Sequence, residues 1–203
     1  MKVRAITWLA IVGIFFLCTA SRSGAGELTD EIRAAIDKGL AVLKNGAAHN
    51  GSAPDEAVRK EQIEQLREIV RPLFNFDEMA RRSLGRHWAQ RTPEEREEFV
   101  SVFTDYLEMT YAGKIDLYKG GDVVFLREVV DEDYARVDSK VTDSKGTGYE
   151  VSYKLLNRDG DWRIYDVIVE NVSLVNNYRS QFSRIIRNFS FEELVKKMKQ
   201  KSG

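Results

Sequence analysis

Apolar positions along the chain change their period near its middle. Leu28, Ile32, Ala35, Ile36 and Leu43 recur at steps of three and four, and Asn45-Gly46 closes the run, so the spacing predicts a first helix over 27–45. After a polar loop from His49 to Ala53, Pro54 opens a second helix with Ile63, Leu66, Ile69, Val70 and Leu73 on its apolar side, closed or kinked by Pro72. Asn75 with Glu78 three residues on reads as a capping box for a short helix that carries Phe76, Met79 and Leu84 and stops at Gly85. Thr92-Pro93-Glu94-Glu95 starts a long helix: a Thr cap, Pro at the first helical position and Glu at the third. Its Phe99, Phe103, Tyr106, Leu107 and Tyr111 make an aromatic stripe running to about Leu117.

From Asp122 the period becomes two, and four strands follow at about 122–130, 133–142, 147–157 and 161–170. Asp131-Glu132-Asp133, Ser144-Lys145-Gly146 and Arg158-Asp159-Gly160 are short enough for hairpin turns, so the strands read as an antiparallel meander. In the third strand Tyr149, Val151, Tyr153 and Leu155 face one way, and Glu150, Ser152 and Lys154 face the other, which predicts one buried and one wet side. The fourth sets Trp162, Ile164 and Ile168 against Tyr165, Val167 and Val169, which predicts cover on both sides. A last helix carries Tyr178, Phe182, Ile185, Ile186 and Phe189, and a basic tail from Lys196 to Lys201 reads as a solvated end. Helices before and after a meander make an α+β class.

The first residues change the picture. Lys2 and Arg4 precede an apolar run from Ala5 to Leu17, and small residues follow, the order of a secretory signal. Thirteen residues of helix reach about 20 Å, short of a hydrocarbon core of about 30 Å. Cleavage can follow Ala20 or, with Ser23 and Ala25 as the paired small residues, Ala25. The organisation expected is a signal peptide over 1–25 and one domain over 26–203 with helical extensions at both ends. Cys18 follows the bulky Leu17, a poor context for lipidation, and it is the chain's one Cys, so a chain cut after Ala25 has neither disulfide nor thiolate metal site.

Charge and inventory narrow the function further. The whole chain has 31 basic and 32 acidic residues; loss of Lys2, Arg4 and Arg22 leaves 28 against 32, a net charge of −4. That balance argues against a general nucleic-acid binder. The sequence has neither a phosphate-cradling Gly-rich loop nor a Ser-centred nucleophile elbow, and two His limit metal chemistry. His87 reads as a structural residue. Asp166, in the most hydrophobic strand, is the best enzyme candidate, a general base for enolising a ketone inside an apolar cone, set against a role anchoring the strand by hydrogen bonds.

Two long stretches carry a resemblance. Phe76-Asp77-Glu78-Met79-Ala80-Arg81-Arg82-Ser83-Leu84-Gly85-Arg86-His87-Trp88 resembles the F-x-x-M-A-R-x-x-L-G-x-x-W of the MlaC family, the toluene-tolerance and phospholipid-transport proteins of the Gram-negative periplasm. The stretch from Trp162 to Phe182 is similar to that family's W-x-x-Y-D-V-x-x-E-G-V-S-L-x-x-N-Y-R-x-Q-F, with Asn171 where Gly is usual. Asn also tolerates a left-handed turn.

The resemblance implies helices packed on a curved antiparallel sheet of about four strands, a nuclear-transport-factor-like cone with an apolar lipid pocket. It implies a monomeric, non-catalytic carrier without a cofactor, binding diacyl phospholipid and working between an outer-membrane lipoprotein complex and the inner-membrane Mce-domain subunit of an ABC transporter. The readings set against it are the enzyme with Asp166 as base and a non-lipid periplasmic adaptor whose pocket is only a packed core. Under the resemblance, Phe103, Tyr106, Leu107 and Tyr111 are expected to form one wall, with Phe99 on the same stripe. Val151, Tyr153, Tyr165, Val167 and Val169 of the sheet make the second wall. Val172, Leu174 and Tyr178 form the mouth, with Phe182 on the same helix and Phe76, Met79, Leu84 and Trp88 from the first motif completing the lining. Arg81, Arg82 and Arg179 are candidate headgroup contacts.

Overall fold

The computed structural model describes residues 26–47, 56–112, 122–143 and 145–202. Two helices come first, α1 (Glu27–Ala47) and α2 (Glu56–Val70), then a 3₁₀ turn over Arg71–Leu73, α3 (Phe76–Leu84), a second 3₁₀ turn over Gly85–Gln90, and α4 (Pro93–Ala112). Five strands follow in sequential order in one antiparallel sheet: β1 (Asp122–Asp131), β2 (Tyr134–Thr142), β3 (Gly148–Arg158), β4 (Asp161–Val169) and β5 (Val172–Ser173). Helices α5 (Leu174–Asn188) and α6 (Phe191–Ser202) end the described chain. No described helix is long and apolar enough to cross a membrane. Pro54, Ser144 and the expected continuation of the long helix over 113–117 lie outside the described residues.

Helix starts follow the side chains that cap them. Thr92 and Glu95 form a reciprocal pair: the Glu95 amide donates to Thr92 Oγ1 at 3.2 Å, and the Thr92 amide to Glu95 Oε2 at 2.8 Å. Asn75 Oδ1 accepts from the Glu78 amide at 2.9 Å. The box there is only half closed, because the Asn75 amide donates to the Ile164 carbonyl and so ties the start of α3 to β4.

Turn chemistry sets the sheet. Asp159 and Gly160 have φ of 55° and 90°, and Glu170 and Asn171 have 48° and 64°, so both turns use left-handed residues whose twist matches the strands they join. The second of these turns adds β5, a fifth strand beyond the four expected, too short at two residues to show a period.

A bulge overturns the expected facing of β4. Lys154 pairs with Asp166 and Leu155 with Ile164, so Tyr165 is the extra residue. Across it the alternation slips by one: Val167, opposite Tyr153, lies on the face of Trp162 and Ile164, and Ile168 moves to the other. The far face of β3 is not simply wet, since Ser152 and Leu156 are buried there.

The basic tail is also corrected. Phe191, Leu194, Val195 and Met198 recur at helical spacing along α6 and are all buried, with the lysines left outside. Phe189, expected on the apolar face of a single last helix, instead sits in the corner between α5 and α6 and is 67% exposed.

Candidate functional site

The apolar residues form two separate clusters. The first lies among α3, α4, α5 and α6 and is centred on Phe99, Phe103, Tyr178 and Phe182, with Met79, Leu84 and Leu107 buried beside them. Phe103 meets Tyr178 and Phe182 edge-on at 5.3 Å, Phe99 meets Phe182 edge-on at 5.8 Å, and Tyr178 stacks on Phe182 at 5.4 Å. These are favoured ring geometries at packing distance, and an acyl chain would enter here only by pushing them apart. The stripe of α4 therefore meets α5 and α6, where the sequence suggested the sheet. Phe76, Trp88, Tyr106, Tyr165 and Leu174 pack around this cluster partly buried. Tyr111, at the end of α4, interacts with Tyr178, whose hydroxyl is pushed up from its ordinary range by burial first and by Tyr111 next.

The second cluster lies on the sheet face that carries Val137, Leu155 and Ile164. Helix α1 crosses it, burying Leu28 and Ile32 there, and Leu73 at the end of the first 3₁₀ turn and Phe74 just after it reach its edge. Here partly buried side chains outnumber buried ones: Phe125, Tyr153, Trp162, Val167 and Ile36 join Leu73 and Phe74 in a half-open apolar rim. Val151 is buried on the same face, opposite Val169 on β4. Val169 and, at 60% exposure, Val172 stand out at the β4–β5 edge. Of the residues expected in the sheet wall, Val151, Tyr153, Val167 and Val169 share this face, and Leu28, Ile32, Phe74 and Phe125, outside that expectation, join it there. Alternating periodicity marks Phe125 as a face residue but says nothing of which helix covers it.

Among the grooves lined by described residues, two stand beside these clusters. One of about 510 Å³ runs between α4 and α6, lined by Glu95, Glu98, Phe191, Val195, Lys196 and Lys199. The other, about 340 Å³, is walled largely by Arg71, Asn75, Asp77, Arg158, Asp161 and Arg163 and borders the second cluster at Phe74. Among the described residues no group of three or more His, Cys, Asp or Glu is placed to hold a metal ion.

The family model described as MlaC protein matches residues 33–200. The chain belongs to the MlaC family. It is 23% identical over 153 residues to the intermembrane phospholipid transport system binding protein MlaC of Haemophilus influenzae, covering 71% of this chain and 72% of that one. It is 28% identical over 120 residues to the toluene tolerance protein ttg2D of Pseudomonas putida, 58% of this chain and 56% of that one. A solved phospholipid-binding protein of Ralstonia solanacearum, in complex with a phospholipid, shares the fold at a TM-score of 0.71 and 23% identity, over 85% of this chain and 95% of the other.

The two MlaC motifs become one joint in the structure. Arg81 donates to both oxygens of Glu78, at 2.7 and 2.6 Å, and Arg82 Nε to one of them at 2.6 Å. The Arg81 bonds come first in holding the buried Glu78 carboxyl below its usual range; burial opposes them and Arg82 adds to them. Arg82 also lies 4.1 Å over the Tyr165 ring, and Arg179 Nε donates to the Arg82 carbonyl at 2.8 Å. Of the three arginines expected at a headgroup, Arg82 and Arg179 thus tie α3 to β4 and α5, and Arg81 pairs with Glu78 inside α3.

Asp166 belongs to the same joint. Its Oδ2 accepts from Ser173 Oγ at 2.7 Å and its Oδ1 from the Val175 amide at 3.0 Å, so both oxygens hold the start of α5 against β4. This is the anchoring arrangement. His87 is buried with Nε2 3.3 Å from Ser183 Oγ, and its charged form is disfavoured first by burial and then by Arg86, Arg91 and Arg187.

Proposed function

We propose that this MlaC-family chain is a periplasmic phospholipid carrier that moves diacyl lipid between the outer and inner membranes and catalyses no reaction. It exchanges lipid with an outer-membrane lipoprotein complex on one side and with the Mce-domain subunit of an ABC transporter on the other, and it acts as a monomer without a cofactor. The observation that carries this reading is the family match along nearly the whole chain, on a fold shared with a protein whose solved structure holds a phospholipid.

The energetics demand enclosure. A buried methylene is worth about 0.8 kcal/mol, so two chains of about 16 carbons left in water would cost about 25 kcal/mol. A site for them needs apolar side chains that are not already satisfied by one another. That criterion favours the sheet-side cluster over the helical one, so the tails lie against Val151, Tyr153, Val167 and Val169, with Phe125, Trp162 and Phe74 at the rim and α1 across them.

Native mass spectrometry of the protein purified from the periplasm without detergent tests this. A mass excess of one phospholipid per chain, lost on solvent extraction, is the expected result. A bare mass, together with no uptake from labelled liposomes, contradicts the proposal.

A further inference from the structure

One carboxylate holds the beginning of α1 from about a hundred residues away. Glu128 Oε1 accepts from the Gly26 nitrogen at 3.0 Å, and Oε2 accepts from the Thr29 amide at 2.8 Å and from Thr29 Oγ1 at 2.6 Å. The cap position of a helix is usually filled by a side chain that accepts these bonds. Position 26 has no side chain, and Glu128 on β1 does the capping instead. Gly26 is also held at φ 118°, a conformation L side chains rarely adopt, so the approach of its nitrogen to the carboxylate suits glycine alone. Burial disfavours the Glu128 charge, but the bonds from Thr29 and Gly26 outweigh it and keep the carboxyl below its usual range.

The sequence marks the same residue for a different reason. Ser23 and Ala25 supply the paired small residues that a signal peptidase inspects, and the bond that follows them is Ala25–Gly26. A structural reading and a processing reading therefore meet at one nitrogen.

We propose that export processing cuts Ala25–Gly26 and that the α-ammonium group freed at Gly26 forms an ion pair with Glu128, latching α1 onto β1. In the cut, a hydrolase of the signal-peptidase class adds water across the amide. The hydroxyl goes to the Ala25 carbonyl carbon, the C–N bond breaks, and the Gly26 nitrogen keeps a proton from water and takes up another at neutral pH. A neutral N–H donor becomes a cation facing a carboxylate oxygen, so an ion-pair attraction is added to a hydrogen bond that the carboxylate charge already strengthens. An ammonium at a helix N-terminus opposes the helix dipole, and Glu128 is the group that offsets it. Because Leu28 and Ile32 of α1 cover the sheet-side cluster, the latch sets how often that cover lifts. The latch stands independently of the lipid reading; only this last consequence rests on it.

The test has two readouts. The intact mass of the exported chain gives its first residue, and amide hydrogen exchange of α1 peptides compares a chain starting at Gly26 with one that retains Ala25, each with Glu128 or Glu128→Gln. The expected results are an exported chain beginning at Gly26, and α1 exchange about tenfold faster when Ala25 is retained. In Glu128→Gln, which keeps the side chain's shape, the two starts should exchange alike. An exported chain beginning at Ser21 overturns the proposal. So does equal exchange for the two starts with Glu128 present, or a difference that survives Glu128→Gln.

Discussion

The two apolar clusters are built from similar residues and behave differently. Among α3 to α6, aromatic rings from three helices meet one another at 5.3 to 5.9 Å and are almost wholly buried. On the sheet, among the described residues, one helix crosses the strand surface and leaves Phe125, Tyr153, Trp162 and Val167 partly buried. Helices can rotate until their faces match, whereas a five-stranded surface is broader than the stripe one helix can cover. Hydrophobic content alone therefore does not separate a closed core from an apolar surface with room beside it; the extent of burial does.

Substitutions in the two regions should separate stability from carriage. Phe103→Ala removes a ring that is 1% exposed and should cost about 3–5 kcal/mol in urea denaturation. Tyr153→Ala, on the sheet rim, should cost about 1 kcal/mol and lower lipid occupancy in native mass spectra. If both variants lose stability equally and Tyr153→Ala still carries lipid, the distinction between the clusters fails.

Asp166 joins the regions by holding α5 to β4. Its replacement by Ala leaves the Ser173 hydroxyl and the Val175 amide without their acceptor and should cost about 2 kcal/mol, measured by the same denaturation. Asp166→Asn keeps an acceptor, so it should lose less and carry lipid normally.

Glu78 should make the helical side acid-sensitive. Its folded pKa lies below the ordinary 4.5, so its contribution is fully present above that value and is lost as pH falls through the lower folded one. Denaturation below pH about 4.5 should show a decline of about 1 kcal/mol in the native chain that Glu78→Gln lacks; that variant should be weaker at neutral pH and flatter toward acid. The smallest effect belongs to Val172→Ser, exposed at the start of β5, within about 0.5 kcal/mol by thermal melting.

Much of the scaffold was legible because local chemistry decides it. Thr92 and Glu95 cap α4 as their spacing says, Asp159-Gly160 turns the β3–β4 hairpin, and Asn171 takes the left-handed φ expected of it. What escaped is tertiary. The bulge at Tyr165 lets β4 follow both the sheet and α3, and one inserted residue reverses every facing after it. The lysines of α6 drew the reading toward solvent although Phe191, Leu194, Val195 and Met198 kept a clean helical period among them. The stripe of α4 was recognised as an apolar face, but periodicity cannot say whether such a face meets helices, strands or a ligand. For the same reason Arg81, Arg82 and Arg179 were legible as motif residues, and their ties to Glu78 and to the Arg82 carbonyl were not.

The central claim is that acyl chains lie on the sheet side and leave the helical core intact. A phospholipid with a photoreactive group in its acyl chain, loaded into the protein and irradiated, reports this directly through the peptides it labels. The account predicts adducts on Val151, Tyr153, Val167 and Val169 and on Phe125 or Trp162. Adducts concentrated on Phe99, Phe103 and Phe182 would contradict it.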